Sequence, residues 1–372
     1  MTSLLVLNYE FPPLGGGASP VSYEIALGLS KKGFDIDVVT MGYKNLPKFE
    51  EVNKNFRIHR VKCLRSKKEI CYPHEQLTYL ISGYFKAREL IKNNDYKVCH
   101  THFIVPTGLL ALILKKQFGL SYVVTSHGSD VPGYNPDRFK FLHKFSKPVL
   151  NWINKEANLI TTPSAYLKEL IQKNIGIYRI KVVPNGSIDY YNHTILKENI
   201  ICTTGRLLKR KGIQHLIKAF LDLNLSKWEL YIVGDGPYRG KLVETAESSQ
   251  NIIFTGWLDN KQKKFKTILN KSKIFALLSS KESQGISLIE AMSAKNAIIT
   301  NNSTACKETI SNGNGFLVKR EDTENIKEKL LKLIHDETLL KSYMEKSRNR
   351  YKKHYAWPIV ISKYINLFKQ FS

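Results

Sequence analysis

Glu282 and Glu290 stand eight positions apart in Lys281-Glu282-Ser283-Gln284-Gly285-Ile286-Ser287-Leu288-Ile289-Glu290-Ala291-Met292. A helix starting near Gly285 would turn its N-terminal amides toward a ligand beside Glu282 and set Glu290 on its first turns, where a carboxylate accepts hydrogen bonds from a diol. Upstream, Gly205-Arg206-Leu207-Leu208-Lys209-Arg210-Lys211-Gly212 follows an apolar run and leads into a helical stretch, Ile213 to Asp222. Cations placed there suit a diphosphate: Arg grips two oxygens at once and Lys supplies a compact charge. Alone, a basic loop is a solvated surface, and two carboxylates alone fit a glycoside hydrolase pair. Their conjunction points to transfer of a sugar from a diphosphate.

Three further segments carry chemistry. Gly15-Gly16-Gly17 follows the first apolar run and precedes a helix starting near Pro20, so backbone N–H groups can approach an anion there without obstruction. His127, in Thr125-Ser126-His127-Gly128-Ser129-Asp130, lies where open α/β sheets place their ligands, and Asp130 is near enough to orient the loop. Cys99, His100 and His102 have metal-ligand types, but with no fourth partner they read as structural, and no metal is assigned. Gly234-Asp235-Gly236-Pro237 and Gly256-Trp257-Leu258 are turns that could border a base pocket.

The elements that must position these residues are legible as alternation. Apolar or β-branched runs at 4–7, 37–40, 98–100, 122–125 and 159–162 alternate with helical stretches at 20–32 and 76–92, and the theme repeats at 200–204, 229–233, 252–254, 274–278 and 297–300. Such a pattern predicts parallel sheets covered by helices, here as two doubly wound domains. A Pro and an Asn-Gly turn at Val183-Pro184-Asn185-Gly186-Ser187, followed by the polar stretch Tyr190 to Asn199, mark the boundary. The amphipathic segment Trp357 to Phe368 must dock to bury Ile361, Tyr364 and Phe368.

At 372 residues, with 42% hydrophobic side chains, the chain is long enough for two cores and too apolar for a disordered polymer. Its longest apolar run, Val105 to Leu114, falls short of the ~20 residues that span a bilayer, and the N-terminal run lacks a basic leader. Five scattered cysteines without a Cys-x-x-Cys pair fit a reducing cytosol. A net charge of +25 attracts polyanions or anionic lipid, or reflects a lysine-rich solvated surface.

Taken in order, these motifs resemble glycosyltransferase family 4, the retaining GT-B enzymes, over essentially the whole chain: Glu282 to Glu290 continuing as Glu-Ala-Met, Gly205-Arg206-Leu207 with Lys211-Gly212, Val233 to Pro237, Val183 to Gly186, Pro12-Pro13-x-Gly-Gly-Gly and His127 to Asp130. The resemblance implies a GT-B fold, two Rossmann-like doubly wound domains facing a central cleft: an acceptor-side domain over 1–184 with the helix at 357–372 packed back on it, and a nucleotide-sugar-binding domain over 185–356. It implies a metal-independent, retaining transfer of a hexose-type sugar from a UDP- or GDP-sugar to a hydroxyl acceptor, with no cofactor. Arg206 and Lys211 would hold the diphosphate, Glu282 and His127 the donor sugar, Glu290 the ribose, Gly285, Ile286 and Ser287 the sugar and distal phosphate, and Gly16 and Gly17 the phosphates. Two residues depart from the family pattern: Gln284 stands where many members carry an apolar side chain, and Ser187 replaces a common Val. The acceptor would be a saccharide or a lipid-linked molecule in cell-envelope polysaccharide, lipopolysaccharide or glycolipid synthesis. An anionic membrane surface would be met through Arg57, Arg60, Lys62, Arg65, Lys67 and Lys68, or through 138–155 with Phe139, Phe141, Phe145 and Trp152, and nucleic acid is not an expected partner. The competing readings are a nucleotide-sugar epimerase of GT-B type and a polyanion- or nucleic-acid-binding protein.

Overall fold

A computed structural model of the chain describes residues 2–134, 140–310 and 313–371. Contacts divide the chain into two compact units, Met1–Pro184 with Trp357–Ser372, and Asn185–Ala356.

The first unit holds β1 (Ser3–Leu7), β2 (Asp35–Met41), β3 (Phe49–Asn53), β4 (Phe56–Val61), β5 (Val98–His102), β6 (Tyr122–Thr125), β7 (Leu159–Thr162) and β8 (Ile180–Val182). They form one sheet in the order β3-β4-β2-β1-β5-β6-β7-β8, parallel except for the pairing of β3 with β4. Central strands such as Leu4–Leu7 are buried on both faces, which is why they read as continuous apolar runs. The helices are α1 (Ala18–Ser30), α2 (Pro73–Asn93), α3 (Leu109–Phe118), α4 (Lys140–Glu156) and α5 (Ala165–Asn174). Strand order reverses between β1 and β5, so the loops leaving these two strands border the crevice such sheets offer to ligands.

Two of the basic residues expected at a membrane surface are spent inside this sheet instead. Arg57 donates to Asp35 at 2.9 Å and to Asp37 at 2.8 Å, and Asp37 also accepts from Tyr96 at 2.7 Å and contacts His59 at 2.7 Å. Burial opposes ionisation of Asp37, but hydrogen bonds from Arg57, His59 and Tyr96 hold its carboxyl well below the usual range. Arg60 is buried and bonds to Glu50 at 2.8 Å.

The second unit holds β9 (Glu198–Thr204), β10 (Glu229–Val233), β11 (Ile252–Gly256), β12 (Ser272–Leu277), β13 (Ala297–Asn301) and β14 (Gly315–Val318), all parallel, in the order β11-β10-β9-β12-β13-β14. Its helices are α6 (Ile213–Asp222), α7 (Arg239–Thr245), α8 (Lys263–Lys271), α9 (Ile286–Ser293), α10 (Cys306–Thr309), α11 (Thr323–His335) and α12 (Glu337–His354). Here the order reverses between β9 and β12. The stretch expected as polar chain after the boundary opens with a buried residue: Tyr190 is 4% exposed, and its N–H donates to Ser293 Oγ at 3.2 Å.

The last helix, α13 (Trp357–Phe368), belongs to the first unit and packs on α1. Ile361 closes on Gly28, where a Cβ would lie 2.5 Å from the isoleucine side chain and would have to push it aside. Ile361, Tyr364 and Phe368 are buried, and the last two rings lie 5.7 and 5.1 Å from that of His100.

Candidate active site

In the second unit, the loops leaving β9 and β12 are drawn together by backbone before any side chain acts. Ser280 N–H donates to Arg210 O at 2.8 Å, and Gly212, at φ +70°, passes so close that a Cβ would lie 2.6 Å from the carbonyl of Leu278. Behind them, Gly205 N–H donates to Val233 O and Leu207 N–H to Asp235 O, both at 2.9 Å. The turn at Gly234 is thereby a brace under the basic loop.

On this frame Lys211 Nζ meets Glu282 Oε1 at 2.5 Å, with side chains 17% and 15% exposed. Arg210 Nη1 donates to Lys281 O at 3.2 Å. Arg206 is exposed and finds no side-chain partner among the described residues. Gly285 then turns at φ +83° into α9, whose N-terminus carries no side-chain cap and no acidic residue in its first turn, so the amides around Ile286 and Ser287 present positive potential.

Glu290 sits a turn further on. Asn260 Nδ2 lies 3.4 Å from its Oε1, and Tyr190 also hydrogen-bonds it. Burial pushes the carboxyl up to about 7 against these two bonds. Gln284 is buried, and its Oε1 accepts from Asn185 N–H at 2.8 Å. The residue that departs from the family pattern therefore ties the loop before α9 to the start of the unit.

In the first unit, Gly16 and Gly17 are exposed ahead of α1. His127 is held in its loop by Asp130, whose Oδ1 accepts from Ser126 Oγ at 3.0 Å, His127 N–H at 3.2 Å and Gly128 N–H at 3.0 Å, while Oδ2 accepts from Ile104 N–H at 2.8 Å. His102 Nδ1 lies 3.0 Å from His127 Nε2, and His100 Nε2 lies 2.7 Å from Thr125 Oγ1. Burial lowers His127 to about 3. Among the described residues no group of three His, Cys, Asp or Glu side chains is arranged to hold a metal ion.

Sequence reasoning singled out the glutamates, the cations and His127 but missed the residues that hold them: Tyr190 and Asn260 at Glu290, Gln284 on Asn185, and His102 on His127. The signal for His102 was its place on one strand face with His100; for the other three, nothing local marks a partner distant in the chain.

Two Rossmann-like parallel sheets, the second with basic and glycine-containing loops at its strand ends, are the architecture of the GT-B class of glycosyltransferases. The profile described as "Glycosyltransferase Family 4" matches residues 15–187, and "Glycosyl transferases group 1" matches 192–353. The chain belongs to glycosyltransferase family 4. It is 25% identical to the N-acetyl-alpha-D-glucosaminyl L-malate synthase of Bacillus anthracis, over 96% of this chain and 94% of that one. Against the O-antigen chain mannosyltransferase C of Escherichia coli it is 24% identical, over 99% and 98%. The crystal structure of Anabaena Alr3699/HepE in complex with UDP and glucose superposes with a TM-score of 0.77 at 14% identity, covering both chains completely.

Replacing Gln284 by Leu leaves the Asn185 N–H buried without its acceptor. The expected cost is about 1–3 kcal/mol in the unfolding free energy. Chemical denaturation checks it, and a change below about 0.5 kcal/mol contradicts the role given to this tie.

Proposed function

We propose that the chain is a retaining, metal-independent transferase that moves a hexose-type sugar from a UDP- or GDP-sugar to a hydroxyl of a saccharide or lipid-linked acceptor in cell-envelope polysaccharide or glycolipid synthesis. The observation that carries this reading is the Lys211–Glu282 pair beside the uncapped start of α9: a fixed cation and open amides at the site of a diphosphate, next to a carboxylate placed for a sugar hydroxyl. The names of relatives support the coarser part, since one is an O-antigen chain mannosyltransferase and another an N-acetyl-alpha-D-glucosaminyl L-malate synthase. UDP and glucose in the Anabaena complex support a uridine nucleotide.

In this reading the bond from C1 of the sugar to the phosphate oxygen breaks, and C1 bonds to the acceptor oxygen on the same face. The departing phosphate oxygen takes the acceptor proton, and Lys211 and Arg206 neutralise the charge that grows on the nucleotide. Glu282 and His127 contact the sugar, Glu290 the ribose, Gly285, Ile286 and Ser287 the sugar and distal phosphate, and Gly16 and Gly17 the phosphates. No metal or other cofactor takes part. An epimerase would release nucleotide without acceptor, which separates the two readings.

A cytoplasmic enzyme with a lipid-linked acceptor would work at a membrane surface, and one face of the first unit suits that. Leu77, Ile81 and Phe85 form a stripe along α2 and are 61%, 63% and 59% exposed. Leu64 joins them, its N–H donating to Thr78 Oγ1 at 3.1 Å. Between residues 62 and 92 seven Lys and Arg face three acidic side chains. We assign contact with anionic lipid to this face and not to Arg57 and Arg60, which are paired internally. Of the other stretch, residues 138 and 139 lie outside the described residues, as do the side chains of Phe141 and Phe145; in α4 Leu150 and Ile153 are buried, the pattern of a packed helix, although Trp152 is half exposed. Among the described residues no helix is long and apolar enough to cross a membrane.

A panel of UDP-, GDP- and ADP-sugars should raise the melting temperature with one nucleotide class, and Lys211→Ala should lose that shift together with about 100-fold or more in turnover while staying folded. No shift with any nucleotide would return the charge of the chain to the polyanion-binding reading.

Because the Glu290 carboxyl is pushed up to about 7, its ionised, diol-accepting form grows as pH rises through that value. The donor KM should fall about tenfold between pH 6 and pH 8. Glu290→Gln should bind weakly with a flat profile, and an unchanged wild-type KM across this range would remove Glu290 from the ribose.

Wild-type protein should co-sediment with phosphatidylglycerol vesicles at low salt and not with phosphatidylcholine alone. Leu77→Ser/Ile81→Ser/Phe85→Ser should reduce that binding at least about tenfold. Equal binding by the triple variant would move the contact elsewhere.

A further inference from the structure

We infer that His102 is a positioning residue that locks His127 as its Nδ1–H tautomer, so that His127 meets its ligand as a hydrogen-bond donor and never as a proton acceptor. This rests on the assignment of His127 to the donor sugar. The geometry starts from β5, where His100 and His102, two residues apart, share one face of the sheet. The His102 and His127 ring centroids are 5.3 Å apart with only 14° between the ring planes, while the facing nitrogens are 3.0 Å apart. Nearly parallel planes with so short a nitrogen separation place the rings edge to edge, sharing one hydrogen within their common plane.

All three imidazoles are neutral over the working range, because burial lowers His100 and His127 to about 3 and holds His102 well below the ordinary imidazole value. Each ring therefore carries one N–H, and the pair has two solutions. In the first, His102 Nδ1–H donates to His127 Nε2, leaving His102 Nε2 as a bare lone pair. In the second, His127 Nε2–H donates to His102 Nδ1, leaving His102 with its hydrogen on Nε2. That atom is buried and has no hydrogen-bond partner among the described residues. An orphaned buried N–H is rarer and costlier than an orphaned lone pair, which selects the first solution. His127 then keeps its one hydrogen on Nδ1, the ring nitrogen that the His102 contact leaves open.

Asp130 fixes the second coordinate. It holds the His127 backbone N–H, not the ring, so the loop is anchored while the tautomer is set from β5 alone. A donor at Nδ1 can hydrogen-bond a sugar or phosphate oxygen but cannot take the acceptor proton. The proton must therefore leave by another route, as it does when the leaving phosphate oxygen receives it.

Long-range 1H–15N spectra of histidine-labelled wild-type protein, with the His127 signals assigned by their loss in His127→Gln, read the tautomer directly. The expected pattern is a protonated Nδ1 and a bare Nε2 at His127 that does not titrate between pH 6 and pH 8. A protonated Nε2, or a mixture, overturns the inference whatever the activity. His102→Asn, whose amide can still donate, should keep the pattern, and His102→Leu should lose it and lower kcat about tenfold or more with a smaller change in donor KM. If the spectra show the lock but His127→Gln turns over normally, the lock stands and the assignment of His127 to the donor sugar fails.

Discussion

The donor grip proposed for this protein depends on one contact, Lys211 Nζ against Glu282 Oε1 at 2.5 Å, between loops that leave adjacent strands where the strand order of their sheet reverses. A partly buried pair of opposite charges is worth more than a surface pair because less water screens it, but only if both partners are held. Here the holding is done by backbone. Gly212 lets one loop pass against the Leu278 carbonyl, and the Ser280–Arg210 bond stitches the loops one residue before Lys211 and two before Glu282. A bulky residue at Gly212 would separate the two charges without touching either.

The first unit solves a different problem with neutral groups. His100, His102 and His127 carry no charge, so their contacts are directional and not long-range, and the carboxylate beside them, Asp130, is spent on the N–H groups of Ile104, His127 and Gly128 and on Ser126. The second unit offers a charged centre and the first a set of oriented dipoles: attraction of an anion needs charge, whereas selection among hydroxyls needs a fixed donor or acceptor at a fixed angle. The C-terminal helix takes part in that orientation, since Tyr364 and Phe368 cover the His100 ring whose Nε2 meets Thr125.

The doubly wound pattern was legible because central parallel strands are buried on both faces and so appear as unbroken apolar runs, and the helix over 357–368 because its apolar positions recur at helical spacing. The strands β3 and β4 were not. Phe49-Glu50-Glu51-Val52-Asn53 and Phe56-Arg57-Ile58-His59-Arg60-Val61 read as polar chain because their charges find partners across the sheet in Asp35, Asp37 and Glu50. The same physics misdirected the search for a membrane face, since a buried arginine and a solvated one are identical letters. Glu282, Glu290, Arg206 and Lys211 could be found because each belongs to a short motif with its own chemistry. Gln284, Tyr190 and Asn260 could not, because each acts on a group brought beside it only by folding.

Helix α9 shows how far such unmarked residues reach. Its N-terminus is left open, while its C-terminal end is satisfied: Lys197 Nζ donates to Ala294 O at 2.8 Å, and Arg348 Nη1 donates to Ser293 O at 2.7 Å. Two cations at the negative end of the helix dipole stabilise the helix without competing with an anion at the positive end. Burial pushes Lys197 down to about 7, so its share of that stabilisation weakens as pH rises through that value, where the ammonium gives up its charge and one of its three N–H donors. A helix anchored at its C-terminal end, and by the Gln284 tie ahead of it, keeps its front amides in place with nothing bound, so an anion arriving there need not first order the site. Residues far from Glu282 in the sequence, and absent from any motif, thus set how well the motif performs.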